Sequence, residues 1–224
     1  MNPITTRPYP WPFDGDLTPA NTALIIIDMQ GDFCAEGGYI HQMGYDVSAP
    51  RACIAPIRAM LDAARAKNYA VIHTREGHRP DLSDLPANKR WRSRQMGAGI
   101  GDAGPCGRVL VRGEPGWEII PELAPVAGEP VIDKPGKGAF FATDLELLLH
   151  RRGVRNLIVC GITTDVCVHT TIREANDRGF ECLLVEDACA ATERKHHDAA
   201  VSMVEMQGGV FGAVATSAAV VAGL

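Results

Sequence analysis

Two continuous apolar runs limit the architectures open to this chain. Ala23-Leu24-Ile25-Ile26-Ile27 and Leu157-Ile158-Val159-Cys160 put apolar side chains on both faces of an extended strand. A sheet covered by helices on both faces buries such strands, which is the arrangement of parallel α/β sheets. Strand-like runs then alternate with helical patterns along the sequence. The expected strands are Asn21–Met29, Ala70–Thr74, Val131–Asp133, Asn156–Cys160, Glu181–Val185 and Val210–Ala215. The expected helices are Ala52–Lys67, Asp144–Arg152, Thr164–Arg178 and Lys195–Met206, with a short apolar helix at the C-terminus. This order predicts an α/β fold, a three-layer α-β-α arrangement around a mostly parallel six-stranded sheet with right-handed crossovers.

The 224 residues suit one domain spanning 1–224, with 46% hydrophobic and 22% charged residues supplying core and surface. A net charge of −5 gives no electrostatic reason to expect nucleic acid or an anionic membrane as partner. No apolar run approaches the ~20 residues of a membrane span, and the first residues carry no signal-peptide pattern, so a cytoplasmic protein is expected. The seven cysteines are odd in number, lack a Cys-x-x-Cys pair and sit largely in apolar runs. They read as reduced thiols. Residues 1–20, rich in proline and aromatics, read as an extended arm over the domain or a neighbouring subunit. Residues 76–129 show little periodicity and read as a long loop, a lid or subunit-contact segment. The basic run Lys89–Arg94 lies in it; the acidic total favours a solvated or subunit-contacting role over an anion patch.

Three chemically active residues fall at strand ends, where open parallel sheets bind ligands. Asp28 closes the first apolar run, Lys134 closes Val131-Ile132-Asp133, and Cys167 follows Leu157–Cys160 at the start of a helix. An acid, a lysine or a cysteine at one such place is ordinarily a cap, a solvated charge or a packing residue. Together they fit nucleophilic catalysis at a carbonyl carbon. A helix N-terminus and a nearby ammonium favour a thiolate. Asp28 can take the thiol proton and later deliver it to a leaving amine. Lys134 is expected to hold Asp28 in place and lower its pKa. The backbone N–H groups of Thr163 and Cys167 are candidate donors to an oxyanion. His73 and His78 read as supports rather than reacting groups. His196 and His197 read as solvent-facing.

The motifs Ile27-Asp28-Met29-Gln30 with Asp32-Phe33, Asp133-Lys134-Pro135-Gly136-Lys137-Gly138-Ala139-Phe140 and Gly161-Ile162-Thr163-Thr164-Asp165-Val166-Cys167 resemble those of the isochorismatase-like cysteine hydrolases, over nearly the whole chain from Ala23 to Ala219. The resemblance implies Asp28, Lys134 and Cys167 as the catalytic triad, with the spacing to Phe140 selecting Lys134 over Lys137. It also implies a cis peptide between Ile162 and Thr163, and a homotetramer. No cofactor is expected. No metal is expected either, since Asp46-Val47-Ser48 does not match the Asp-x-His metal motif of the nicotinamidases.

Within the family the chain is most similar to biuret hydrolases. The likeness rests on Tyr9–Pro12, Gly37-Gly38-Tyr39, His73–Asp81, Pro86–Ser93 and Met206–Gly212. It implies a small neutral ureido substrate, with Gln207 contacting a substrate carbonyl and Phe33 shaping the pocket. Phe141 stands where biuret hydrolases carry a smaller cysteine, and His169 replaces a serine. Either change in a pocket wall would move specificity, with triuret the natural neighbour of biuret. Ureidoacrylate and N-carbamoylsarcosine are the alternative substrates, and a non-catalytic binding subunit is the alternative role.

Overall fold

Strand β1, Thr22–Ile27, is buried along its whole length, as its unbroken apolar run requires, and lies inside a six-stranded sheet. The computed structural model describes residues 4–224. The other strands are β2 (Ala70–Glu76), β3 (Val131–Lys134), β4 (Asn156–Ile162), β5 (Glu181–Ala190) and β6 (Ala213–Ala215). Their order across the sheet is β3-β2-β1-β4-β5-β6, and every neighbouring pair is parallel. The longer helices are α1 (Ile54–Ala66), α2 (Ala87–Gln95), α3 (Leu145–Arg151), α4 (His169–Asn176), α5 (Arg194–Gly209) and α6 (Ser217–Gly223).

The chain runs outward from β1 through β2 to β3, then returns to the other side of β1 as β4 and continues to β5 and β6. Right-handed crossovers in opposite directions place their helices on opposite faces. So α1, joined by α6 against which it packs, covers one face, while α4 and α5 pack on β5 and cover the other. The reversal lies between β1 and β4. A crevice opens there beyond the carboxyl ends of the strands.

Several elements differ from the sequence reading. β2 runs to Glu76 rather than stopping at Thr74, and β4 continues to Ile162. β5 extends to Ala190 with a register shift against β4 between Val159 and Gly161. The expected helix from Thr164 opens as a π turn, Thr164–Val168, before α4 begins. α5 is broken near its end, where Gln207 and Gly208 take left-handed φ of 55 and 82. The 76–129 region holds α2, a small hairpin (Ala103–Gly104 with Gly107–Arg108) and two 3-10 turns. Only Ser93 of α2 is buried, so this helix has no apolar stripe for periodicity to reveal. The arm lies along the sheet edge, with Arg7 and Val214 exchanging backbone hydrogen bonds of 3.0 and 2.8 Å. Its first three residues fall outside the described residues. Among the described residues no helix is long and apolar enough to cross a membrane.

Candidate active site

Asp28 follows β1 directly and takes a left-handed φ of 49, a conformation uncommon outside glycine and typical of constrained functional positions. The hydroxyl of Thr74 on β2 donates to its Oδ1 at 2.6 Å, while the Asp28 N–H donates back to that hydroxyl at 3.1 Å. Lys134 ends β3. Its ammonium lies 2.7 Å from Asp28 Oδ2 and donates to the carbonyls of Gly136 and Lys137 at 3.1 and 2.9 Å. Cys167 is held in the π turn beyond β4, where its carbonyl accepts from Thr171 Oγ1 at 2.7 Å. Thr171 in turn accepts from the Ala139 N–H at 3.1 Å, tying the cysteine turn to the loop after Lys134. The three residues expected from the sequence thus meet at the carboxyl end of the sheet, all buried.

A fourth residue was missed. Glu76, the last residue of β2, is fully buried and its Oε2 accepts from the Cys167 thiol at 3.2 Å. Its Oε1 accepts from Lys89 at 2.8 Å and Lys137 at 2.9 Å, and Lys134 Nζ lies 3.6 Å from Oε2. Gln30 fixes the backbone of Glu76 by accepting from its N–H at 2.7 Å and donating to its carbonyl at 3.0 Å. Lys89 belongs to the basic run on α2 that read as solvated or subunit-contacting. Instead it turns inward to Glu76 and the Pro135 carbonyl. The available signal was strand alternation: Thr74 and Glu76 share a face once β2 is carried two residues further.

Burial pushes the Cys167 thiol well above its usual range; Lys134 and Lys137 pull it down, while Asp28 and Glu76 push it up. Burial thus favours the thiol, against the thiolate that the helix terminus led one to expect. Burial also raises the Asp28 carboxyl, against Lys134 and with the help of Glu76. Lys134 was expected to lower it, but the cost of a charge in this dry site is larger. Glu76 goes the other way. Burial opposes its ionisation, yet Lys137, Lys134 and Lys89 together hold it well below the ordinary carboxylate range. The donor atoms of Asp28, Glu76 and Cys167 lie within 4.8 Å of one another. That is the spacing of a cation site, and the Lys134 ammonium supplies positive charge beside both carboxylates. A base works best when its pKa approaches the working pH. By that measure Asp28 is the better proton acceptor and Glu76 a fixed anion that organises three ammonium groups.

The Ile162–Thr163 peptide is cis. Beside it a cavity of about 270 Å³ opens over Cys167, lined by Phe33, Tyr39, Lys137, Thr163 and Val166 among others. Phe33 packs edge-on against Tyr39. A second cavity of about 230 Å³, lined by Lys89, Arg92 and Phe141, adjoins the first through Tyr39, Met96 and Lys137. Gln207 is not brought to this place. It is exposed at the broken end of α5, outside the lining of either cavity. His169 also points elsewhere: its Nδ1 accepts from Arg173 at 3.0 Å in a groove between α4 and α5. His73 and His78 pair with Glu129 and Asp84 at 3.1 and 3.2 Å. His197, expected at the surface, is buried, with its Nδ1 2.9 Å from Thr164 Oγ1. A groove of about 570 Å³ at the opposite end of the strands, between Tyr69, Glu129 and Val154, holds no nucleophile.

Known proteins place this geometry. Ureidoacrylate amidohydrolase RutB of Agrobacterium fabrum is 34% identical over 175 residues, covering 77% of this chain and 77% of that protein. The protein of the same name from Azorhizobium caulinodans is 34% identical over 172 residues, 75% of each. A cysteine hydrolase structure from Pseudomonas syringae pv. phaseolicola aligns with a TM-score of 0.78 at 29% identity, over 92% of this chain and 93% of that one. N-carbamoylsarcosine amidase from Thermoplasma acidophilum shares the fold, with a TM-score of 0.66 at 23% identity over 88% of this chain and 96% of that one. The motif likeness put biuret hydrolases first, whereas these curated relatives are named for ureidoacrylate. Residues 22–219 match the isochorismatase domain family, and the chain belongs to that family.

Proposed function

We propose that the protein is a cysteine-dependent amidohydrolase that cleaves the terminal C–N bond of a ureido compound, with a carboxylate-bearing ureido acid of the ureidoacrylate type as its first candidate. The observation that carries the reading is the contact of Asp28, Lys134 and Cys167 beneath a cavity sized for a small planar amide. Asp28 accepts the thiol proton as Sγ attacks the ureido carbon. The N–H groups of Thr163 and Cys167 receive the developing oxyanion. Asp28 returns the proton to the departing nitrogen, ammonia leaves, and a thioester joins the remaining acyl group to Cys167. Water, deprotonated by Asp28, releases a carbamate that loses carbon dioxide to give the amine. Phe33 lines the cavity and offers an apolar face to the planar group.

Charge ranks the substrates. Lys137 and Asp165 line the cavity over Cys167, whereas its neighbour is lined by Lys89, Arg92 and Lys137 and by no acid. Lys89 and Lys137 are paired with Glu76, so Arg92 is the cation left to meet the carboxylate of a ureido acid, and the relatives are named for such an acid. A neutral urea oligomer, biuret or triuret, is the second reading. It is favoured by the motifs around His73–Asp81 and Pro86–Ser93, but Gln207, its expected partner, is remote from Cys167 in the single chain.

Ammonia release from ureidoacrylate, biuret, triuret and N-carbamoylsarcosine tests the proposal. Turnover of ureidoacrylate above the others, abolished by Cys167→Ala, is the expected result. Turnover of none, or undiminished turnover in Cys167→Ala, overturns the catalytic reading and leaves a binding subunit.

A further inference from the structure

His197 has no part in the steps above, yet it touches the turn on which they depend. Thr164 is fully buried. It follows the cis peptide and opens the π turn that carries Cys167. Inside the turn the Thr163 carbonyl is already engaged, accepting from the N–H groups of Val166 and Val168 at 3.2 and 3.1 Å. On the α4 side the turn is tied by Thr171 to the Cys167 carbonyl. On the α5 side it is tied by the His197–Thr164 hydrogen bond at 2.9 Å. Behind the imidazole, packing is incomplete: His197 lines a cavity of about 360 Å³ with Cys53, Asp187, Cys189 and Thr192. Thr192 lines the cavity over Cys167 as well. On this side α5 packs against the turn, and the His197–Thr164 hydrogen bond supplies the directed contact that fixes its register.

We propose that His197 is a positioning residue, which fixes Thr164 and through it the backbone donors of Thr163 and Cys167. The inference rests on the amidohydrolase reading for its catalytic consequence, though not for its geometry. Small displacements of reacting groups are costly: a misplacement of about 1 Å can lower a rate by about 100-fold. Losing the imidazole also leaves a buried hydroxyl without its partner.

The test uses the full-length chain. His197→Ala is expected to lower kcat by about 10- to 100-fold while KM changes by less than about 3-fold, since substrate contacts remain and transition-state contacts shift. Asparagine can place an amide where Nδ1 stood, whereas glutamine reaches toward Nε2. His197→Asn should therefore restore most of the rate and His197→Gln should not. Thr164→Val should reproduce the loss, and the double variant should add little to it. If His197→Ala does not fold, Thr164→Val and His197→Asn carry the test.

A second readout needs no substrate. Acetaldehyde adds reversibly to a thiol: Sγ bonds to the carbonyl carbon and the thiol proton ends on the oxygen. Its protection of Cys167 against iodoacetamide reports stabilisation of that oxygen. Protection should weaken about 10-fold in His197→Ala, with the unprotected alkylation rate within about 2-fold of wild type. If the wild type turns over no ureido compound but protection weakens as stated, the substrate reading fails and the positioning role stands. Unchanged kcat and protection in the folded variant, or equal rescue by asparagine and glutamine, overturns the positioning role.

Discussion

The Cys167 thiol donates to Glu76 Oε2 at 3.2 Å, while the other oxygen of the same carboxylate accepts from Lys89 and Lys137. One buried anion thus faces the nucleophile and neutralises cations drawn from α2 and from the loop after β3. Its effects on stability and on thiol acidity run in opposite directions. Glu76→Gln keeps the shape and removes the charge. Breaking a buried ion pair from one side costs about 3–5 kcal/mol; here the loss falls chiefly on Lys89, since Lys134 keeps Asp28 and Lys137 is partly exposed. The melting temperature of the variant should fall accordingly. The thiol pKa should also fall, since a carboxylate that raises it is gone and the lysines that lower it remain. The pH dependence of iodoacetamide alkylation reads this directly. A thiol pKa that rises in the variant contradicts the electrostatic arrangement.

Asp28 and Glu76 are both carboxylates, yet their surroundings separate their roles. Burial raises Asp28 and the lysines lower Glu76. The base must be ionised to accept the thiol proton, so kcat/KM should drop as pH falls through the raised Asp28 pKa. The acid limb is then expected at higher pH than a free aspartate would give. The pKa read from it belongs to the coupled cluster rather than to one residue. Asp28→Asn keeps an oxygen for Thr74 and loses the base, and kcat should fall by about 10²- to 10⁴-fold. An acid limb no higher than the ordinary aspartate value of 3.8, or an active Asp28→Asn, would assign the proton transfer elsewhere.

What could be read in advance follows from how local each constraint is. The β1 and β4 runs announced a doubly covered sheet because burial on both faces leaves no polar alternation to confuse. Gly161 marked the turn toward Cys167; it adopts φ 116, and a Cβ there would stand 2.1 Å from the Ile27 carbonyl oxygen. Asp28, Lys134 and Cys167 each followed an apolar run, so strand ends located them. Glu76 follows Thr74-Arg75, where the apolar run of β2 has already ended, and the strand continues only because it pairs with β3 on one side. Lys89 sits on a helix with no apolar face. His196 and His197 are adjacent in sequence and point about 100° apart on a helix, so one reaches the surface and the other Thr164. Pairings between distant segments bring these residues to the site, and no short window of sequence contains those pairings.

Arg92 lies in the cavity adjoining that of Cys167 and forms no ion pair within 4.0 Å among the described residues. If the substrate carries a carboxylate, Arg92 is the cation free to meet it, because Lys89 and Lys137 are already committed to Glu76. A charge-assisted hydrogen bond contributes about 1.5–3 kcal/mol. Arg92→Ala should therefore raise KM for ureidoacrylate by about 10- to 100-fold and leave KM for biuret within about 3-fold. Equal effects on both substrates would show that the guanidinium supports α2 rather than the ligand.

Asp32 anchors the long segment between β2 and β3 to the turn that bears Phe33. It is almost wholly buried, and its Oδ2 accepts from the Leu110 N–H at 2.9 Å. Burial pushes its carboxyl up to about 6, against the backbone donors of Leu110 and Tyr39. The gap from the ordinary value of 3.8 corresponds to about 3 kcal/mol. The sign follows from linkage. The folded protein holds this proton more tightly than the unfolded chain does. The stabilisation is therefore complete below the ordinary value and is lost as pH rises through about 6. Asp32→Asn cannot titrate. The stability advantage of wild type over this variant should be largest near pH 4 and shrink by about 3 kcal/mol by pH 7.5. Denaturant melts of both proteins at the two pH values measure the difference. An advantage that grows with pH would mean that the two N–H donors outweigh burial and hold Asp32 as the anion.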